Sequence, residues 1–241
     1  MGGKRARGNF NFQFTPRPNP LSSACPLMNV ESFLKQRLIC VAVIDHADDA
    51  VPLASALLAG GLNTIEVTFR TAGAAESIAR IRRALPAATV GAGTLLTPNQ
   101  VKQAVDAGAQ FGVSPGLSPA VSQAAHDHRL PLFPGCITPT EVMHALELGW
   151  KTLKFFPAEN AGGVNTLKSL IGPFGHTGVK FIPTGGITAA TLPHYLAIPQ
   201  VAAIGGSWMA DRKLLAEKAW EKITALTAEA MKVIAHADHR S

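Results

Sequence analysis

Three cysteines in 241 residues, Cys25, Cys40 and Cys136, are too few for a disulfide framework. They form no C-x-x-C pair and no metal-ligand spacing, which argues against structural zinc and points to a reducing cytoplasm. No apolar stretch is long and uninterrupted enough to span a membrane. The fingerprint G-x-G-x-x-G follows no strand candidate, so a doubly wound dinucleotide-binding sheet is the weaker architecture here. The eight histidines are scattered over loops and helices without a shared motif, and H-E-x-x-H is absent, so neither metal nor other cofactor is expected.

A formal charge of +6 invites a nucleic-acid reading, but its distribution opposes one. Residues 1–27 hold Lys4, Arg5, Arg7 and Arg17 and no acid, so four of the six charges sit there. The remainder carries about two, ordinary for a soluble enzyme, and neither nucleic acid nor membrane is expected as a partner. The first 27 residues are rich in Gly, Pro, Asn and Arg and lack both hydrophobic periodicity and a signal-peptide core. They read as a disordered basic arm or a mis-set start, with Met28 as initiator. Residues 28–241, in a chain that is 47% hydrophobic, suit one domain able to bury a sizeable core.

From residue 38 onward, short apolar runs alternate with helical patterns. Strands are expected at Leu38–Ile44, Thr64–Phe69, Ala88–Thr94, Phe111–Pro115, Pro131–Cys136, Thr152–Pro157, Lys180–Thr184 and Val201–Gly205. Thr97-Pro98-Asn99-Gln100 and Thr138-Pro139-Thr140-Glu141 read as capping boxes with proline at the first helical position. Ser118-Pro119 offers the cap without the third-position partner, and Gly60-Gly61, Gly108 and Gly149 close helices. Eight strand–helix units predict a compact α/β protein, a (β/α)8 TIM barrel, with its chemistry at the C-terminal ends of the strands.

The run Thr152-Leu153-Lys154-Phe155-Phe156-Pro157-Ala158 places a lysine where a doubly buried strand belongs. Desolvation penalises an ammonium there, and a neutral amine attacks carbonyl carbons to give a Schiff base. The plain alternative is a strand-end lysine that reaches solvent. The second strand is equally unusual. In Ile65-Glu66-Val67-Thr68-Phe69-Arg70, period-two alternation sends Ile65, Val67 and Phe69 towards the helices and Glu66, Thr68 and Arg70 inward. Glu66 and Arg70 lie four residues apart at about 3.3 Å per residue, too far to pair with each other. Lys154 can serve the acid, and an anionic substrate the arginine. A buried ion pair without catalytic purpose is the alternative.

Pro183-Thr184-Gly185-Gly186 and Ile204-Gly205-Gly206-Ser207 end the last two strands. Paired glycines let backbone amides approach an anion, and barrels commonly bind phosphate at this place. Simple tight turns are the alternative. Gly91-Ala92-Gly93-Thr94 sets a hydroxyl at a third rim position, and Cys136 reads as a small packing residue near the pocket.

Taken together, Gly61 to Thr71, Gly91-Ala92-Gly93-Thr94, Ser114-Pro115-Gly116, Lys154-Phe155-Phe156-Pro157-Ala158-Glu159, Pro183 to Gly186 and Ile204 to Trp208 closely resemble the KDPG/KHG aldolases. These are class I aldolases acting on 2-dehydro-3-deoxy-6-phosphogluconate and 4-hydroxy-2-oxoglutarate, and the likeness runs in order from about residue 31 to the last helix. The resemblance implies a metal-free homotrimeric barrel of the Entner–Doudoroff pathway acting on a small keto acid. It implies that Lys154 forms the Schiff base and Glu66 shuttles protons. It further implies that Arg70 and Thr94 bind the pyruvate carboxylate, that Pro115 and Phe156 line the substrate, and that Thr184 governs stereochemistry near the electrophile. Gly185, Gly186, Gly205, Gly206 and Ser207 would hold phosphate. Trp150, Trp208 and Trp220 include candidates for interface anchors. A phosphate-binding barrel isomerase and a non-catalytic sugar-phosphate sensor are the competing functions.

Overall fold

The structure, a computed structural model, describes residues 33–238. Residues 1–27, and the proposed initiator Met28, lie outside them. The described strands are β1 (Leu38–Ala42), β2 (Thr64–Thr68), β3 (Thr89–Gly93), β4 (Phe111–Val113), β5 (Leu132–Phe133), β6 (Gly135–Cys136), β7 (Thr152–Phe155), β8 (Lys180–Pro183) and β9 (Ile204–Gly206). The helices are α1 (Ala50–Ala59), α2 (Ala74–Ala84), α3 (Pro98–Asp106), α4 (Pro119–Asp127), α5 (Pro139–Glu147), α6 (Gly163–Phe174), α7 (Leu192–Leu196), α8 (Arg212–Ala216) and α9 (Trp220–Asp238). The result is a mixed α/β fold in which every strand pairing is parallel.

The strands form a six-stranded sheet, β5-β4-β3-β2-β1-β9, and a three-stranded one, β6-β7-β8. The expected fifth strand is therefore two. Pro134 has no N–H to give a ladder, and its carbonyl accepts from the Lys154 amide at 2.9 Å. Leu132–Phe133 pair with β4 while Gly135–Cys136 pair with β7. The expected last strand also starts late: Val201 makes only an isolated bridge to Phe181, and regular pairing begins at Ile204. A second bridge, Thr184 to Gly205, joins the ends of β8 and β9.

Alternation along the strands divides the apolar side chains between two cores. Leu38, Cys40, Ile65, Val67, Leu153 and Phe155 join the large cluster that packs on the helices. Ile39, Phe111, Val113, Phe133 and Ile182, which face the other way, form a second cluster with Phe33 and Leu34. Its rings stack in series, Phe33 to Phe111 and Phe111 to Phe133, each at 5.7 Å between centroids. Fully burying one such side chain contributes about 1.5–3 kcal/mol. Gly91 makes room, since a Cβ there would lie 2.2 Å from the Phe111 ring. Lys154 and Glu66 project from the face that carries this second core.

Helix starts follow the sequence closely. At Thr138 the capping box is complete, with the side chain accepting from Glu141 N at 3.3 Å and Glu141 Oε2 accepting from Thr138 N at 2.8 Å. Burial pushes the Glu141 carboxyl up, but bonds donated to it by Ile137 N, Thr138 N and the Thr138 hydroxyl hold it below its usual range. At Thr97 the box is incomplete. Gln100 N bonds to the Thr97 hydroxyl at 3.2 Å, but the Gln100 side chain accepts from Leu96 N instead of from the cap. Ser118 caps α4 through Val121 N at 3.4 Å. Gly61, Gly108 and Gly149 all have φ above +80°, as helix-closing glycines require.

Candidate active site

Lys154 and Glu66 are brought together across 88 residues of chain, Nζ to Oε1 at 3.5 Å. Their side chains are 7% and 3% exposed, so the solvent-reaching alternative for the lysine does not hold. Desolvation of two such charges costs several kcal/mol each, and one long contact is modest compensation. The pair is therefore poorly explained as a structural clamp. The Lys154 ammonium position also lies 5.1 Å from the centroid of the Phe156 ring.

The seat for Glu66 comes from β3. Glu66 pairs in register with Gly91, and Thr68 with Gly93. A Cβ on Gly93 would collide with the acid, so the carboxylate occupies space that only glycine leaves open. The segment's sequence points to its rim hydroxyl but not to the role of Gly93. The only local signal was glycine inside a strand pattern, which marks close approach without saying by what. Next along the chain, Thr94 has φ +57°, a left-handed conformation that a β-branched residue rarely adopts. Thr94, half-buried, thus stands in a strained conformation immediately beyond the glycine that seats the acid. Thr68, on the same strand as Glu66, has a buried hydroxyl with no hydrogen-bond partner among the described residues.

Arg70 lies just past the end of β2, exposed, with no hydrogen bond or ion pair to any described residue. The inward alternation expected through position 70 ends at Thr68, where the strand itself ends. Phe69 goes with the helices as expected, lining a hollow of about 640 Å³ with residues of α2 and α3.

Thr184 is buried, and its hydroxyl donates to the Ile182 carbonyl at 3.3 Å. A Cβ at Gly205 would stand 2.3 Å from that hydroxyl, so this glycine too serves as a seat for a polar side chain. Gly185 and Gly186 have φ of +103° and +77°, and their amides, like that of Ser207, donate to no described acceptor. Gly205 and Gly206 are buried, whereas Ser207 is exposed at the end of β9. Pro115 is half-buried on the loop after β4. Position 135 must be glycine-sized, because a Cβ there would meet the Pro115 carbonyl at 2.1 Å. Cys136 is buried on β6, with burial first and then Glu141 pushing its thiol up to about 12.

Among the described residues, no group of three or more His, Cys, Asp or Glu is placed to hold a metal ion. No described helix is long and apolar enough to cross a membrane. Trp150, Trp208 and Trp220 are half-buried against the chain's own main core. Among the described residues, the large apolar side chains that stand exposed are Leu96 and Met143.

A buried amine beside a buried carboxylate, in a chain whose last strands end in glycine turns with unspent amides, is a set of groups whose chemistry suits an enzyme acting on an anionic carbonyl compound. The family model for KDPG and KHG aldolase matches residues 30–226, and the chain belongs to that family. It is 44% identical over 204 residues to the 2-dehydro-3-deoxy-phosphogluconate aldolase of Treponema pallidum, covering 85% of this chain and 96% of the relative. The fold matches a KDPG aldolase from Legionella pneumophila, solved with pyruvate captured at low pH as a covalent carbinolamine intermediate. The TM-score is 0.78 at 40% identity, over 82% of this chain and 95% of that one. It also matches the 2-keto-3-deoxy-6-phosphogluconate aldolase of Zymomonas mobilis with 3-phosphoglycerate. There the TM-score is 0.76 at 43% identity, over 84% and 94% of the two chains.

Proposed function

We propose that this chain is a class I aldolase that cleaves 2-dehydro-3-deoxy-6-phosphogluconate to pyruvate and D-glyceraldehyde 3-phosphate. The same site would split 4-hydroxy-2-oxoglutarate to pyruvate and glyoxylate. The observation that carries this reading is the buried contact of Lys154 Nζ with Glu66 Oε1 at 3.5 Å, in a chain of this family.

The amine of Lys154 attacks the C2 ketone, and Glu66 moves the protons needed to expel water from the carbinolamine. The iminium so formed is an electron sink. Glu66, directly or through a water, takes the proton of the C4 hydroxyl, and the C3–C4 bond breaks. Its electron pair enters the iminium to give the enamine of pyruvate on Lys154, while glyceraldehyde 3-phosphate departs. Protonation at C3 and hydrolysis then release pyruvate and the free amine. Because the iminium accepts the electrons, no divalent cation is needed as a Lewis acid. Arg70 and Thr94 hold the carboxylate, which places the keto carbon within reach of the amine. Pro115 and Phe156 flank the substrate, and Thr184 controls the face of attack. The amides at Gly185, Gly186 and Ser207, with the Ser207 hydroxyl and the side-chain-free backbone of Gly205 and Gly206, receive the phosphate. The non-phosphorylated acid leaves that cradle empty and turns over more slowly.

Closure of the two sheets into one eight-stranded barrel belongs to this reading. The continuity of β5 and β6 through Pro134, and the Thr184–Gly205 bridge, support it. One enzyme domain over residues 28–241, a cytoplasmic homotrimer and a place in the Entner–Doudoroff pathway belong to the same reading and rest on the family resemblance.

Borohydride reduction in the presence of pyruvate tests the central step. The expected product is a pyruvate-derived mass on the Lys154 peptide, absent in Lys154→Met; an unmodified peptide overturns the imine route. In a lactate dehydrogenase-coupled assay containing EDTA, Glu66→Gln should lower turnover by about 10²- to 10⁴-fold. Its effect on pyruvate binding should be much smaller. Unchanged turnover would remove the acid from the mechanism.

A further inference from the structure

Tyr195 is the sole tyrosine of the chain and is completely buried on α7. Its hydroxyl donates a short hydrogen bond to Glu159 Oε1. Burial first, and then that carboxylate, hold the phenol protonated well above its ordinary range. Glu159 follows β7 five residues after Lys154, and its backbone is tied to the last strand's neighbour. Glu159 N donates to the Gly185 carbonyl at 3.0 Å, and Ala158 N to the Thr184 carbonyl at 2.8 Å. Its stem lies flush against the glycine pair: a Cβ on Gly186 would stand 2.8 Å from Glu159 Cβ and 3.1 Å from its Cγ. Gly163 lies on the other side, at ordinary contact distance: a Cβ there would be 3.4 Å from the Tyr195 hydroxyl and 3.5 Å from Glu159 Oε1. Glu159 is thus held at its amide, its stem and its head, and each hold bears on the turn that presents the Gly185 and Gly186 amides.

We propose that Tyr195 and Glu159 are a positioning pair for the Gly185–Gly186 turn, and so set the preference for phosphorylated over non-phosphorylated keto acids. This rests on the reading of that turn as a phosphate cradle. Neither residue touches the reacting atoms. Without the Tyr195 bond, the Glu159 stem loses its anchor beneath Gly186. A carboxylate is also released within a side chain's length of the cradle, where it opposes a phosphate. The imine chemistry at Lys154 needs neither residue, so the effect should separate by substrate.

The test compares wild type, Tyr195→Phe and Glu159→Gln on 2-dehydro-3-deoxy-6-phosphogluconate and on 4-hydroxy-2-oxoglutarate. It adds inhibition by inorganic phosphate and thermal unfolding. In Tyr195→Phe the KM for the phosphorylated acid should rise, and inhibition by phosphate weaken, by about five- to tenfold, the worth of one hydrogen bond. The kcat values and the KM for the non-phosphorylated acid should stay within about twofold. Glu159→Gln retains an oxygen acceptor for Tyr195 and should stay near wild type. If Tyr195→Phe fails to fold, Glu159→Ala removes the acceptor and should give the same split. Equal losses on both substrates, or an unchanged response to phosphate, overturn the positioning role while the cradle stands. A wild type indifferent to inorganic phosphate, with no preference for the phosphorylated acid, overturns the cradle and the pair together.

Discussion

Glu66 sits where a side chain on Gly93 would have to be: a Cβ at that position would lie 2.1 Å from its Oε1 and 2.6 Å from its Cγ. The neighbouring strand therefore locates the acid by leaving a gap. Gly93→Ala should displace the carboxylate from Lys154, lowering kcat by about 10²-fold or more. The same overpacking should cost about 1–3 kcal/mol of stability. Steady-state kinetics with denaturant unfolding checks this, and an active, stable Gly93→Ala enzyme would show that the acid needs no such seat.

Arg70 has no partner among the described residues, so its truncation breaks nothing in the fold. Arg70→Ala should leave stability alone and raise KM by roughly ten- to a hundredfold, the value of a charge-assisted contact, with kcat changed little. An unaffected KM would place the carboxylate site elsewhere.

Thr94 carries the opposite trade. A left-handed backbone costs an L-residue roughly 1–2 kcal/mol, which glycine avoids. Thr94→Gly should therefore raise the unfolding free energy, by about 1 kcal/mol, while its KM for the keto acid increases. A variant both less stable and fully active would refute the assignment of strain in the service of binding.

Two buried thiols give the protein an alkaline limit. Burial, aided by Glu141, raises Cys136 from 9.0 to about 12, and burial with Glu66 raises Cys40 as well. The unfolded chain surrenders these protons first. The thiols' contribution to stability is thus undiminished below pH 9 and falls between pH 9 and about 12, by up to about 1.4 kcal/mol per pH unit for each thiol. Melting curves from pH 8 to 11 should decline less steeply for Cys136→Ala than for wild type; equal slopes would exclude the thiol as the cause.

Lys154 and Glu66 were legible as chemistry because each interrupts a buried strand pattern, and desolvation makes that costly. Thr184 and the glycine turns were legible as strand-end features. Alternation continued to position 70 predicts an inward Arg70, but the strand stops at Thr68 and Arg70 stands exposed. Alternation says which face a residue takes, but not where pairing ends. The reciprocal box at Thr97 failed for a related reason, since Gln100 found the Leu96 amide within equal reach. Tyr195 had no signal in its own segment. Its partner lies 36 residues earlier, and nothing in a short helix points there.

Hydrophobic periodicity, caps and strand-end glycines are local properties, and the amino-acid order by itself determined the strand–helix alternation, the two faces of each strand and the kind of chemistry available. Distances were decided only in three dimensions. The 3.5 Å contact between Lys154 and Glu66, the division of the fifth strand at Pro134, and the seats at Gly93 and Gly205 depend on register between strands far apart in the chain. Register follows from how all the side chains pack at once, which no single segment encodes.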